Sequence, residues 1–159
     1  MTKSNALLES ETNNLSENKK QIERSAKAHW EGSLKTGKGN LSTDSSVLDD
    51  TNYSFTTRFE KGVKGTNPEE LLAAAHAGCF TMAVAALLSE KELSPTSLDT
   101  KATVTMKGLT ITNIHLAIAG TVENITSDEF DEIVILAKKS CVISKALNIP
   151  ISSESYFIG

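Results

Sequence analysis

The chain lacks most of the signatures that announce a chemistry. Its 159 residues include only two cysteines, Cys79 and Cys141, and only two arginines, Arg24 and Arg58. The formal net charge is -4 and the basic residues are spread out, so there is no electrostatic basis for nucleic-acid binding. No Gly-rich phosphate loop, Ser-His-Asp order or glycosidase-like carboxylate pair is present. No apolar run lies between Met1 and Glu23, so no export signal is read there and the expected compartment is the reducing cytoplasm. A permanent disulfide is not expected in that compartment, whereas a transient catalytic one is compatible with it. The longest apolar stretch, Leu71 to Leu88, is mostly alanine and contains His76, Gly78 and Thr81. It reads as a buried helix and not as a membrane span.

What is present divides into a polar arm, residues 1–25, and one domain, residues 26–159. The arm is rich in Ser, Asn, Glu and Lys and too poor in apolar residues to build a core. Ala28 to Gly32 open a strand, Thr36 to Gly39 turn, and Asn40 to Thr43 return as in a hairpin. Tyr53, Phe55, Thr57 and Phe59 alternate with Ser54, Thr56, Arg58 and Glu60, which predicts a strand over 53–60. Asn67-Pro68-Glu69-Glu70 is a helix start: Asn67 as N-cap, Pro68 at the first helical position and Glu70 closing a capping box. That helix is predicted to run to about Glu90. Because it is apolar nearly all round, it should be covered on every side, which points to a large subunit interface. Leu98 to Met106 and Leu109 to Glu123 predict two more strands. A phase shift between Ile111 and Ile114 predicts a bulge in the second of them. Thr126 to Glu129 cap a further helix with a stripe of Phe130, Ile133, Val134, Ala137 and Cys141. A final strand covers 151–158. The expected class is α+β, an antiparallel sheet packed on a long central helix.

Packing alone accounts for either cysteine: Cys79 fills space beside Gly78 and Ala83, and Cys141 is the last apolar contact of its helix. The alternative is a redox pair. Arg58 favours that alternative, since a guanidinium beside a thiol stabilises the thiolate and can hydrogen-bond a peroxide oxygen. Unaided, Arg58 also reads as a surface residue opposite Glu60. Glu69 and Glu70 are explained by the helix dipole, but Glu69 can also hold Arg58 in a bidentate ion pair. Ten residues of straight helix put Glu69 about 15 Å from Cys79. A shared site therefore needs a broken helix, a bridging Arg58 or two subunits. His76 and Cys79 are three apart and could face one metal, but no third or fourth ligand has matching spacing, so His76 reads as a core or interface histidine and no metal is expected. Cys141-Val142-Ile143-Ser144 has a C-x-x-S shape without the second cysteine of a thioredoxin-like motif.

Four segments resemble the OsmC/Ohr family of osmotically inducible and organic-hydroperoxide-resistance proteins. They are Ala28-His29-Trp30-Glu31-Gly32, Thr57-Arg58-Phe59-Glu60, Lys64 to Leu71, and Ala74-Ala75-His76-Ala77-Gly78-Cys79-Phe80. The resemblance spans about residues 27–158 and looks closer to the OsmC branch. It implies an intertwined homodimer acting as a thiol-dependent peroxidase, with sites at the subunit interface. By this resemblance Cys79 is the peroxidatic cysteine, Cys141 the resolving cysteine, Arg58 the active-site arginine and Glu69 its partner. It implies organic hydroperoxides as substrates, no bound cofactor, and a lipoylated protein or small dithiol as reductant. Val142 departs from the family, which commonly has proline after the resolving cysteine. Proline would fix that turn, so the orientation of Cys141 is expected to be less constrained here. Two other classes remain: an apolar-ligand-binding protein without turnover, and a stress-induced structural dimer with inert cysteines.

Overall fold

The computed structural model describes residues 21–159, so most of the expected arm, residues 1–20, lies outside the described residues. The order of elements is β1 (Ala26–Glu31), β2 (Lys38–Thr43), β3 (Thr51–Tyr53), α1 (Phe55–Phe59), α2 (Pro68–Glu90), β4 (Pro95–Lys107), β5 (Thr110–Val122), α3 (Ser127–Ser140), α4 (Val142–Ala146) and β6 (Ile151–Phe157). The class is α+β, with two three-stranded sheets ordered β1-β2-β3 and β4-β5-β6.

The second sheet carries the core. Alternation along β5 buries Ile114, Leu116, Ile118 and Val122. Phe80, Val84 and Leu88 of α2 pack against it, as do Phe130, Ile133, Val134 and Ala137 of α3. Gly120 permits the closest approach: a Cβ there would collide with the Phe130 ring. The anticipated bulge is present, since Thr105 pairs with Asn113 and Met106 with Ile111, leaving Thr112 without a pairing partner. The expected all-antiparallel arrangement needs correction: β6 runs parallel to β5. The α3–α4 crossover returns the chain to the end of the sheet where β5 began, and a strand started there points the same way.

The strand predicted over 53–60 is also corrected. Only Thr51–Tyr53 are strand, and Phe55–Phe59 form α1. The competing signal is local. Ser54 is an N-cap whose side chain accepts from the Thr57 backbone N–H, while the Thr57 hydroxyl accepts from the Ser54 N–H. In the helix Phe55 and Phe59 stack at 4.6 Å between ring centroids, the usual i,i+4 contact.

At the start of α2, Asn67 caps as expected, accepting from the Glu70 N–H at 2.8 Å. Glu70 does not close a capping box; its carboxylate accepts from the Thr66 hydroxyl instead. The helix then runs unbroken to Glu90. It is not covered on every side within the chain. His76, Phe80, Val84 and Leu88 form its buried face, while Ala74, Ala75, Gly78 and Met82 are exposed, Met82 by 75%. The first sheet is similarly bare. Every β1 residue except Trp30 is exposed, and the sheet packs substantially on neither α2 nor the second sheet.

Candidate active site

The four candidate residues fall into two pairs. Arg58 and Glu69 form the first. Arg58 sits in the last turn of α1 and Glu69 in the first turn of α2. What aligns them is the short connection. The Asn67 side chain donates to the Thr57 carbonyl at 3.1 Å, and the Thr66 N–H donates to the Asn52 carbonyl at 3.0 Å. With the end of α1 fastened to the start of α2, the guanidinium meets the carboxylate in a fork. Arg58 Nε lies 3.1 Å from both Glu69 oxygens, and its Nη2 lies 2.5 Å from Oε1. Such a bidentate pair fixes the plane as well as the position of the guanidinium.

Beside this pair lies an apolar cavity of about 520 Å³, lined by Trp30, Tyr53, Phe55, Phe59, Pro68 and Leu109 along with Arg58. The first sheet supplies its floor. Trp30 and Tyr53 both pair with Gly39, and their rings close over it with centroids 5.5 Å apart. A side chain at Gly39 would occupy the space of both rings. The sequence reading missed this cavity. The aromatic alternation at Tyr53, Phe55 and Phe59 was its signal, but it was read as one face of a strand.

Cys79 and Cys141 form the second pair, and both are free thiols. Cys79 is half-buried on α2, three turns beyond Glu69; Cys141 is 1% exposed. Cys141 ends α3 and begins α4, with φ -54° and ψ 126°. Its N–H donates to Ala137 O at 2.8 Å, and its carbonyl accepts from the Lys145 N–H at 3.0 Å. The turn is therefore held on both sides without proline. Val142 occupies the first position of α4, the place where proline fits best. The thiol makes no capping hydrogen bond to α4. Burial pushes the Cys141 thiol up, but the polar groups around it, those of Ser144 and Ile143 and the Cys79 thiol, outweigh burial and bring it below the ordinary range. Cys79 packs against the core cluster that contains Cys141.

His76 joins this second group. It is fully buried, and its Nε2 lies 2.7 Å from Ser144 Oγ. Burial pushes its pKa below the ordinary value, so it is neutral at physiological pH. The sequence reading of His76 as a satisfied core histidine holds for Nε2 only; Nδ1 has no partner among the described residues. Ser144 was noted in the C-x-x-S run but given no task; the short helix α4 that brings it to His76 was not anticipated.

The two pairs do not meet within the chain. The helix between them is unbroken, which keeps Glu69 about 15 Å from Cys79 along the axis. Among the described residues, the partners of Arg58 are Glu69 and the Phe59 ring.

The OsmC family model, described as OsmC-like protein, matches residues 60–154. Peroxiredoxin OsmC of Escherichia coli (strain K12) is 47% identical over 137 residues, covering 84% of this chain and 95% of the relative. Organic hydroperoxide resistance protein-like 2 of Staphylococcus epidermidis (strain ATCC 35984) is 32% identical over 99 residues, covering 58% of this chain and 70% of the relative. The crystal structure of the organic hydroperoxide resistance protein OhrB of Bacillus subtilis superposes with a TM-score of 0.63 at 24% identity, covering 84% of this chain and 97% of that one. By the match of the family model and the 47% identity to a relative covered almost end to end, the chain belongs to the OsmC family.

Proposed function

We propose that the protein is a cysteine-based peroxidase that reduces organic hydroperoxides as a homodimer in the cytoplasm. A relative named peroxiredoxin at 47% identity supports peroxidase activity. The observation that carries the cysteine mechanism is the packing of half-buried Cys79 against the core cluster that contains buried Cys141. The Cys79 thiolate attacks the distal oxygen of the hydroperoxide. The O–O bond breaks, the alkoxide leaves and takes a proton to become the alcohol, and Cys79 becomes a sulfenic acid. Cys141 then attacks the sulfenic sulfur, forming the disulfide and releasing water. An external dithiol, a lipoylated protein or a small molecule, reduces the disulfide by exchange, so the cycle needs no resident cofactor.

Arg58, held by Glu69, stabilises the charge that develops on the peroxide oxygens. The apolar cavity beside it takes the alkyl group, whose burial hydrogen peroxide cannot match. Because the two pairs are separated by three turns of helix, the working site draws Arg58 and Glu69 from one protomer and Cys79 and Cys141 from its partner. The bare face of α2 and the unpacked first sheet support this intertwined assembly.

Single-turnover reduction of cumene hydroperoxide tests the reading. Reduced wild type should yield one alcohol and one disulfide per site, and normal activity in Cys79→Ser would overturn the mechanism. The cavity also admits an apolar-ligand-binding protein without turnover. Tight ligand binding by reduced wild type that consumes no peroxide would favour that second reading.

A further inference from the structure

The peroxidase cycle leaves one buried polar residue without a task. His76 is fully buried on α2, and its Nε2 lies 2.7 Å from Ser144 Oγ on α4. Its Nδ1 has no partner among the described residues. An unpaired buried ring nitrogen is destabilising, and an apolar side chain of similar size would avoid the loss. The ring's one hydrogen bond is therefore where its use is to be sought.

That bond is made one turn from each cysteine. His76 precedes Cys79 by three residues on α2, and Ser144 follows Cys141 by three residues, inside the helix that Cys141 begins. The bond is thus a rung between the α2 backbone near one sulfur and the α4 backbone near the other.

The two sides of the rung are held unequally. α2 is a continuous helix of 23 residues with His76, Phe80, Val84 and Leu88 buried. α4 has five residues, none of them buried, and no side-chain cap. A helix that short does not hold itself in place, so its contacts decide where it stands. Ile143 and the following Leu147 pack only partly buried on the core. Among the described residues, the bond to His76 is the only side-chain hydrogen bond that α4 makes. The Cys141 carbonyl accepts from the Lys145 N–H, so Cys141 belongs to the same turn as Ser144. What fixes Ser144 against α2 therefore fixes the backbone of Cys141.

We propose that His76 is a positioning residue that holds α4 on α2 through Ser144 and so keeps Cys141 within closing distance of Cys79. Its functional consequence rests on the peroxidase reading above. A disulfide requires Cα atoms about 4.4–6.8 Å apart, and small displacements of either backbone strain it. In the closing step the Cys141 sulfur attacks the sulfenic sulfur of Cys79, the S–S bond forms and the S–O bond breaks. Cys141 is oxidised and the sulfenic sulfur reduced, and the Cys141 proton leaves with the hydroxyl as water. His76 makes and breaks no bond in that step. It confines the attacking residue, which raises the effective concentration of one thiol at the other. Because the rung lies a turn away from both sulfurs, it persists when they join.

Redox equilibration against dithiothreitol tests the rung. Diamide forms the disulfide in the full chain without peroxide, and alkylation followed by mass spectrometry reads the ratio of dithiol to disulfide. Ser144→Ala and His76→Leu should each lower the equilibrium constant for the disulfide about tenfold, which raises its reduction potential by about 30 mV. His76→Gln should restore most of it, since its amide offers both a donor and an acceptor near the place of Nε2. Hydrogen exchange should quicken at the α4 amides of Ser144→Ala and stay unchanged in α3. With hydroperoxide, closure should be about tenfold slower in Ser144→Ala and near normal in His76→Gln. Ser144 is half-buried and outside the core cluster, so Ser144→Ala carries the test should His76→Leu fail to fold. A Ser144→Ala protein with a lower urea midpoint but an unmoved disulfide equilibrium has lost a merely structural contact, and that result overturns the proposal. So does a His76→Gln protein that equilibrates like His76→Leu, or a wild type whose cysteines diamide cannot join. A wild type that forms the disulfide with diamide but consumes no peroxide would sink the peroxidase reading alone, and the equilibrium would still decide the role of His76.

Discussion

The first turn of the Pro68–Glu90 helix, its charged end, and the middle of that helix, its thiol end, are built for different work. At its first turn Glu69 meets Arg58 in a partly exposed ion pair, bordered by an apolar cavity open to an incoming molecule. Three turns on, half-buried Cys79 packs against the core that holds Cys141, and nearby the buried His76 bonds Ser144. In the proposed mechanism the charged end polarises the peroxide but holds no nucleophile. The thiol end holds both sulfurs but lacks a cation. Rigid helix prevents one chain from joining them, and in the proposed dimer a second copy supplies what each lacks.

The comparison can be broken most severely at the thiol end. Cys79→Ser should abolish single-turnover hydroperoxide reduction, whereas Cys141→Ser should still release one alcohol and leave a sulfenic acid that dimedone traps. Intact protein mass spectrometry distinguishes the two. At the charged end, Arg58→Ala should slow the peroxide step by about 10²-fold without preventing chemical oxidation of the thiols. Glu69→Gln should have a smaller effect, since it leaves the guanidinium present but poorly aimed.

The link between the ends is sharpened by Met82→Glu, which places a charge on the bare face of α2. The variant should shift sedimentation equilibrium toward monomer and lose peroxidase activity in parallel, although Met82 lies in neither pair.

Smaller effects separate the interior end from the exposed one through pH. The His76 pKa is depressed in the folded protein, so on acidification the unfolded chain takes up a proton that the native state refuses. Stability should therefore fall as pH drops below about 6.5 toward the folded value, by at most about 1.4 kcal/mol per pH unit. Urea midpoints of His76→Gln should lack that component of the slope. The smallest expected change is at the turn before α4. Val142→Pro should raise stability by about 0.4–1 kcal/mol, because Val142 is exposed and stands at a first helical position.

Much of this was legible in residue order, for identifiable reasons. The cap at Asn67, the stripe ending in Cys141 and the bulge near Thr112 rest on local hydrogen-bonding and periodicity rules that the fold obeys. The stretch around Arg58 was misread because two-residue alternation of aromatics competes with a Ser54–Thr57 capping box, and over five residues the capping box prevails. The parallel placement of β6 was not legible, since it depends on the crossover by way of α4. The His76–Ser144 rung joins residues 68 positions apart and has no local signature. Val142 stands where the family commonly has proline, and backbone hydrogen bonds to Ala137 and from Lys145 hold the turn on both sides.

The central claim is that each site is shared between two copies, and subunit mixing tests it most directly. Arg58→Ala and Cys79→Ser proteins, each inactive alone, are unfolded together, refolded and assayed with cumene hydroperoxide. In a mixed dimer one site unites the intact Arg58 of one subunit with the intact Cys79 of the other. Random pairing should restore about a quarter of wild-type activity. Mixed dimers that form, as shown by differential tagging, yet remain inactive would contradict the shared site.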